Sequence, residues 1–124
     1  MILADTSVWI DYLRNPESNS ELGKLLRGGQ IVMHPFIVAE LSLGSLRNRQ
    51  KILSEMESLL EVKVAQLGEV RHMIEAHTLY SKGIGLTDAH LIASCLLTQG
   101  TQLWTRNGNL KKVARALGVF VDLP

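Results

Sequence analysis

The sequence is poor in several residue types whose abundance would define a class of protein. Its 124 residues include one cysteine and three prolines, and aromatic residues make up only 5%. A single cysteine cannot form an internal disulfide, so a small scaffold held together by disulfides is excluded. Cys95 lies in an apolar run at residues 91–97. We therefore expect a buried thiol in a reducing compartment, the cytoplasm.

Long apolar runs and an excess of charge of one sign are missing as well. No stretch reaches the ~18 apolar residues that a membrane span requires, and the first residues do not show the pattern of a signal peptide. The formal net charge is only +1, so the overall charge gives no support to nucleic-acid binding, and any such support must come from a local site. The length and the 46% hydrophobic content are typical of one globular domain, which we expect to span residues 1–124.

Short apolar runs alternate with helical patterns along the chain. The runs at 2–4, 31–33, 62–64, 103–105 and 119–121 are typical of strands, and the segments between them carry apolar residues at helical spacing. Strands that alternate with helices pair in parallel through right-handed crossovers. The expected fold is therefore an α/β three-layer sandwich, α/β/α. Functional sites in such folds form beyond the carboxyl ends of the strands.

Three acidic residues are candidates for such a functional site, although each has an ordinary explanation. Asp5 follows the first strand and could simply cap the next helix. Glu40 lies inside the helix that Pro35 opens, where a glutamate is usually a solvated surface residue. Asp88 lies one residue inside a helix that Thr87 can cap, on the apolar face of that helix, and burial there would require a partner.

Taken together, the three carboxylates suggest a metal site. If they converge at one edge of the sheet they repel each other, and a divalent cation removes that conflict. Hard oxygen ligands favour Mg²⁺ or Mn²⁺ over zinc. Such an ion can orient and deprotonate a water for attack on phosphorus, so the pattern suggests phosphodiester hydrolysis.

Four segments of the chain resemble the signature blocks of the VapC-type toxins of the PIN-domain family, and they occur in the family's order. They are DTSVWIDYLR at 5–14, HPFIVAEL at 34–41, GIGLTDAHLIAS at 83–94 and LWTRNGNLKKVA at 103–114. The resemblance implies a five-stranded parallel sheet in the three-layer sandwich and cleavage of RNA that depends on Mg²⁺, with Mn²⁺ as a substitute. It also implies a homodimer and a cognate antitoxin whose tail occupies the acidic groove.

Carried over by position, Asp5, Glu40 and Asp88 match the first three acidic residues of the family and are the expected catalytic and metal-binding residues. The fourth block departs from the pattern, because Asn107 stands where the family usually has aspartate. Asparagine keeps an oxygen ligand but loses the charge, so weaker metal binding or a single bound ion is expected. The alternative is that Asn107 and Gly108 simply form a turn before a helix.

The resemblance also assigns residues that would contact the substrate. Thr6, Ser7 and Thr105 match hydroxyl positions near the metal, and Arg14 and Arg106 lie within signature blocks close to the expected edge of the sheet. These five residues are the candidates for binding RNA.

Two other functions compete with that of a nuclease. Domains that are phosphorylated on an aspartate require a second carboxylate at Ser7, or an acidic pair before Asp5 with a lysine near Arg106, and the chain has neither. The stronger alternative is a PIN domain with a weakened or inactive site that binds RNA or protein. Asn107 favours this alternative, whereas the intact Asp5, Glu40 and Asp88 argue against it.

Overall fold

A computed structural model of the chain describes residues 1–16 and 20–124. The elements within these residues are strands β1 (Ile2–Ala4), β2 (Ile31–Val32) and β3 (Gln102–Trp104), and helices α1 (Thr6–Arg14), α2 (Glu21–Arg27), α3 (Pro35–Ser42), α4 (Arg49–Glu57), α5 (Leu67–Ala76), α6 (Leu86–Leu97) and α7 (Gly108–Ala116). Helices therefore follow each strand, as the alternating pattern predicts.

The sheet is parallel and has the order β2-β1-β3. Leu3 in the central strand pairs with Val32 on one side and with Leu103 on the other, and none of the three is more than 2% exposed. Central strands of a parallel sheet are buried on both faces, which is why these short runs are continuously apolar. The structure confirms an α/β fold with a parallel sheet.

The predicted number of strands, five, is wrong for the residues that the structure describes, where three are present. Both missing strands are reduced to single parallel bridges at the two edges, Met33 with Glu61 and Leu103 with Phe120. Beyond the first bridge, the backbone N–H of Lys63 donates to the Thr98 hydroxyl (2.9 Å) and not to the sheet. The segment at 62–64 therefore leaves the sheet after one pairing, although its alternating pattern resembles a strand.

Side-chain caps fix where the helices begin. Asp5 caps α1 by accepting from the Val8 N–H (3.3 Å), and His34 Nδ1 accepts from the Phe36 N–H (3.0 Å) at the start of α3. Because α1, α3 and α7 start just after β1, β2 and β3, their N-termini gather at the carboxyl edge of the sheet. Helix N-termini carry partial positive charge, so this edge favours anionic groups.

The core surrounds the central strand and one long helix. The tryptophans Trp9 and Trp104 are buried, and so are residues 89–95 of α6. Cys95 is a buried free thiol, and burial raises its pKa to about 12. Among the described residues, no helix is both long enough and apolar enough to cross a membrane.

Candidate active site

Asp5 is a buried carboxylate, 4% exposed, at the end of the central strand. Its Oδ1 accepts from the Ser7 hydroxyl (2.5 Å) and from the Val8 N–H (3.3 Å), and its Oδ2 accepts from the Thr105 hydroxyl. The capping role that position alone suggests is therefore real. Beyond the cap, the carboxylate is held by a nearby hydroxyl, that of Ser7, and by a hydroxyl 100 positions away, that of Thr105.

Asp88 lies in the first turn of α6 and is half-buried. Its Oδ2 accepts from the backbone N–H of Gly85 (3.1 Å), the residue that precedes the helix. The helix begins at Leu86, so the expectation that Thr87 caps it is wrong by two residues. An acid in the third helical position stabilises the start of a helix both through this hydrogen bond and through the dipole.

Glu40 lies in α3 on the exposed side of the same region. Its pKa is raised above the ordinary value, first because partial burial removes the carboxyl from water and then because Asp88 and Asp5 carry negative charge nearby. The structure therefore brings all three predicted acids within electrostatic reach of one another.

The three carboxylates are not arranged as ready ligands of one ion. Within residues 1–16 and 20–124, no three acidic, histidine or cysteine side chains form a group that could hold a metal. Oxygens of Asp5 and Asp88 accept hydrogen bonds from the protein itself. Joint coordination therefore requires the side chains of Glu40 and Asp88 to move towards Asp5, whose oxygens are held by three donors. The chemistry of the donor set does fit a hard cation, because the clustered charges are all carboxylates and the charge repulsion on Glu40 favours a positive partner.

The fourth signature block, residues 103–114, covers the end of β3, the loop that follows it and most of α7. The backbone N–H of Arg106 donates to the Ser7 hydroxyl (3.1 Å), and that of Asn107 donates to the Thr105 hydroxyl (3.0 Å). The side-chain Oδ1 of Asn107 accepts from the Leu110 N–H (3.0 Å) and caps α7. The Asn107 oxygen that could serve as a ligand is therefore used to begin a helix.

The two predicted RNA-contacting arginines differ in their surroundings. Arg106 forms an ion pair with Asp11, donates to the carbonyl of Pro124 (3.2 Å) and lies over the Trp104 ring. Arg14 is exposed and, together with Glu40, lines a cleft of about 640 Å³. Thr6 is the first residue of α1, next to Asp5. Only Arg14 thus lines the same cleft as one of the three acids.

Sequence reasoning missed partners that only the fold brings together. Asp11 has no motif that links it to Arg106, because the two residues are 95 positions apart. His34 and His90 flank the acidic positions in the sequence, and in the structure both rings are buried, with centroids 6.4 Å apart and Phe36 beside them. Burial, followed by the charge of His90, lowers the pKa of His34 to about 4, so the ring is neutral near pH 7.

Residues 2–116 match the PIN domain family. The chain therefore belongs to the PIN-domain family. It is 37% identical over 119 residues to Ribonuclease VapC32 of Mycobacterium tuberculosis strain CDC 1551 / Oshkosh, and equally similar to Ribonuclease VapC32 of strain ATCC 25618 / H37Rv. Each comparison covers 96% of this chain and 94% of the relative. These findings confirm the VapC-type PIN domain that the four sequence blocks predict.

Proposed function

We propose that the protein is a metal-dependent endoribonuclease that hydrolyses phosphodiester bonds of RNA and serves as the toxin of a VapBC-type toxin–antitoxin pair. The observation that carries this proposal is that Asp5, Glu40 and Asp88 lie within electrostatic reach of one another. The pKa of Glu40 is raised first by partial burial and then by the charges of Asp88 and Asp5. The similarity to Ribonuclease VapC32 supports RNA cleavage as the reaction at this group of acids.

Asp5, Glu40 and Asp88 are the catalytic residues of this proposal and would hold Mg²⁺, or Mn²⁺ in its place. The bound ion would supply a polarised water and compensate the charge that develops on the phosphate. Asp5 is the acid whose position is fixed best, because three donors hold its two oxygens. The repulsion that raises the pKa of Glu40 would be relieved by the cation.

The RNA would be held by the residues that surround these acids. Arg14 lines the cleft beside Glu40 and is the strongest candidate for a phosphate contact. The family resemblance suggests Thr6, Ser7, Thr105 and Arg106 as further candidates. For Arg106 this role would require release from Asp11, with which it forms an exposed ion pair.

We also propose the finer organisation that the family resemblance implies. Residues 1–124 would form one PIN domain, which is supported by a single cluster of buried hydrophobic residues. The order β2-β1-β3 is extended on its two sides by the bridges of Met33 with Glu61 and of Leu103 with Phe120. Applied to this extended order, the right-handed crossover rule would place α1 to α4 on one face of the sheet and α5 to α7 on the other. Contacts of α3 with α1 and α4, and of α5 with α6, agree with these three layers. The protein would act in the cytoplasm as a homodimer, inhibited by a cognate antitoxin.

A PIN domain that binds RNA or protein without cutting is the second candidate. Asn107 favours it, because a neutral side chain stands at the fourth acidic position and its oxygen caps α7. Metal binding separates the two functions. An active site should be stabilised by Mn²⁺ or Mg²⁺ through Asp5 and Asp88, whereas an inactive site should show no such stabilisation.

The decisive experiment uses protein purified away from any antitoxin and incubated with a structured RNA pool in Mg²⁺ or in EDTA. Asp88→Asn, prepared in the same way, keeps an oxygen that can accept from Gly85 but removes the charge. We expect cleavage that requires the metal and is lost in the variant. Equal cleavage by both proteins would identify a contaminating nuclease. If the folded wild-type protein cleaves none of a varied set of RNAs, the binding function replaces the nuclease.

A further inference from the structure

The hydrogen bonds around Asp5 form a closed ring that passes through the backbone of the β3–α7 loop. On one side, the Ser7 hydroxyl donates to Asp5 Oδ1 (2.5 Å) and accepts from the N–H of Arg106 (3.1 Å). On the other side, the Thr105 hydroxyl donates to Asp5 Oδ2 and accepts from the N–H of Asn107 (3.0 Å). The two halves of the ring are joined by the covalent chain at 105–107.

The direction of every hydrogen bond in this ring follows from the chemistry of its members. A backbone N–H can only donate, and a carboxylate can only accept. Each hydroxyl must therefore donate its single proton to Asp5, and its oxygen accepts from an N–H. The carboxylate and two consecutive peptide groups of the loop together fix the orientation of both hydroxyls.

Resting on the metal site proposed above, we propose that Ser7 and Thr105 are positioning residues that hold Asp5 in a single orientation, and that Thr105 does not contact RNA. This differs from the substrate-binding role that the family resemblance suggests for them. Thr105 is 0% exposed and its proton is directed to Asp5, so its hydroxyl has neither the surface nor the donor with which to bind a substrate.

The surroundings of the ring keep the loop in place. The guanidinium of Arg106 is held by Asp11 and by the carbonyl of Pro124, and the side chain of Asn107 caps α7. These anchors fix the two N–H groups that orient Ser7 and Thr105. Position 107 therefore supports Asp5 through its main chain, while its side chain keeps the loop in place.

Amide hydrogen exchange tests the ring in the metal-free protein. Replacing Thr105 by valine (T105V) removes the acceptor of the Asn107 N–H, and Ser7→Ala removes that of the Arg106 N–H. We expect exchange of the one affected amide to accelerate by about tenfold or more in each variant, as for the loss of one hydrogen bond. The matched control is Thr101→Val, because Thr101 is also buried and its hydroxyl has no hydrogen-bond partner in the part of the chain that the structure describes. The control should leave both amides unchanged. Unchanged exchange at 106 and 107 in the two test variants would overturn the ring.

Metal binding and kinetics then test what the ring does. We expect T105V to weaken Mn²⁺ binding by about 10- to 100-fold, as is typical when a group that orients a ligand is removed, and to lower kcat with little change in the KM for RNA. Thr105→Ser restores the hydroxyl and should recover both values. A raised KM with unchanged Mn²⁺ affinity would instead make Thr105 a substrate contact. A wild-type protein that neither binds Mn²⁺ nor cuts RNA would refute the proposed function, and the exchange result would show separately whether the ring exists.

Discussion

Replacing Asn107 by aspartate tests how the missing fourth charge affects the site. Asn107 Oδ1 caps α7 by accepting from Leu110, and aspartate provides the same acceptor. Asparagine and aspartate are about equally good caps, so the fold should tolerate the change. What changes is one negative charge, on the side chain of a residue whose main-chain N–H is linked to Asp5 through the Thr105 hydroxyl.

The free energies can be worked out separately for the two states of the site. Without metal, the dipole of α7 favours the new charge by about 0.3–1 kcal/mol, and repulsion from the existing carboxylates opposes it. We therefore expect a melting temperature within a few degrees of the wild type. With Mg²⁺ or Mn²⁺, an added carboxylate should tighten binding by about tenfold, which corresponds to about 1.4 kcal/mol. At metal concentrations well above Kd this becomes roughly 5 °C of additional stabilisation for a domain of this size.

Thermal unfolding across a titration of Mn²⁺ measures the effect directly. Two controls separate its causes. Asn107→Ser keeps a neutral cap. Gln30→Glu adds the same charge just before β2, at the amino end of the strands, whereas Asp5 lies at their carboxyl end. Neither control should increase the response to metal. If Asn107→Asp shows the same shift with metal as the wild type, then position 107 lies outside the reach of the ion and the reasoning fails.

Three further outcomes follow from individual contacts. His34 has a folded-state pKa of about 4 against 6.5 when exposed, so the unfolded chain takes up the proton first. Stability should therefore be highest above pH 6.5 and fall by up to about 3 kcal/mol as the pH approaches 4. His34→Asn, which can still cap Phe36, should reduce that dependence when urea unfolding is compared across this range. Asp11→Asn removes the exposed ion pair with Arg106 and should lower the free energy of unfolding by less than about 1 kcal/mol, so a larger loss in urea would show that the pair does more than surface pairs usually do. Ile37→Ala, at a position with 0% exposure, should cost about 2–5 kcal/mol, and a smaller loss would indicate that the core collapses around the gap.

The class of fold could be predicted because its signals are local. The apolar runs at 2–4, 31–33 and 103–105 contain strands, and a glycine, Gly28, ends α2. These features depend on burial of a continuous run and on backbone conformation near one residue, which the sequence shows directly. The ends of helices could be predicted less well. Thr87 is the expected cap of α6, but the helix begins at Leu86 because the side chain of Asp88, in the third helical position, accepts from the Gly85 N–H.

The edges of the sheet could not be predicted in the same way. Residues 62–64 alternate like a strand, yet Lys63 donates to Thr98, which lies 35 residues later. At the edge of a sheet, a backbone group can pair either with the neighbouring strand or with any side chain that the fold brings near. Which partner it binds depends on tertiary structure. A strand and a single bridge can therefore have the same local sequence pattern.

For the candidate site, the sequence identified the acids but not what holds them. Asp5, Glu40 and Asp88 follow from the sheet-edge rule and the family resemblance, and the structure brings them within electrostatic reach. The hydrogen bonds to Asp5 from Ser7 and Thr105 join residues up to 100 positions apart, and no spacing rule indicates them. Chemical identity can thus be inferred locally, whereas orientation depends on the assembled fold.

The same structure explains why the departure at Asn107 need not disturb the protein. The side chain begins α7, where asparagine and aspartate are equivalent caps, and the main chain supports Thr105 with either residue. Loss of the charge therefore leaves folding and the orientation of Asp5 intact and should show only in the binding of a cation. An active nuclease and a binding module would have nearly the same stability without metal. Stability in the presence of Mn²⁺ is consequently the property that separates them.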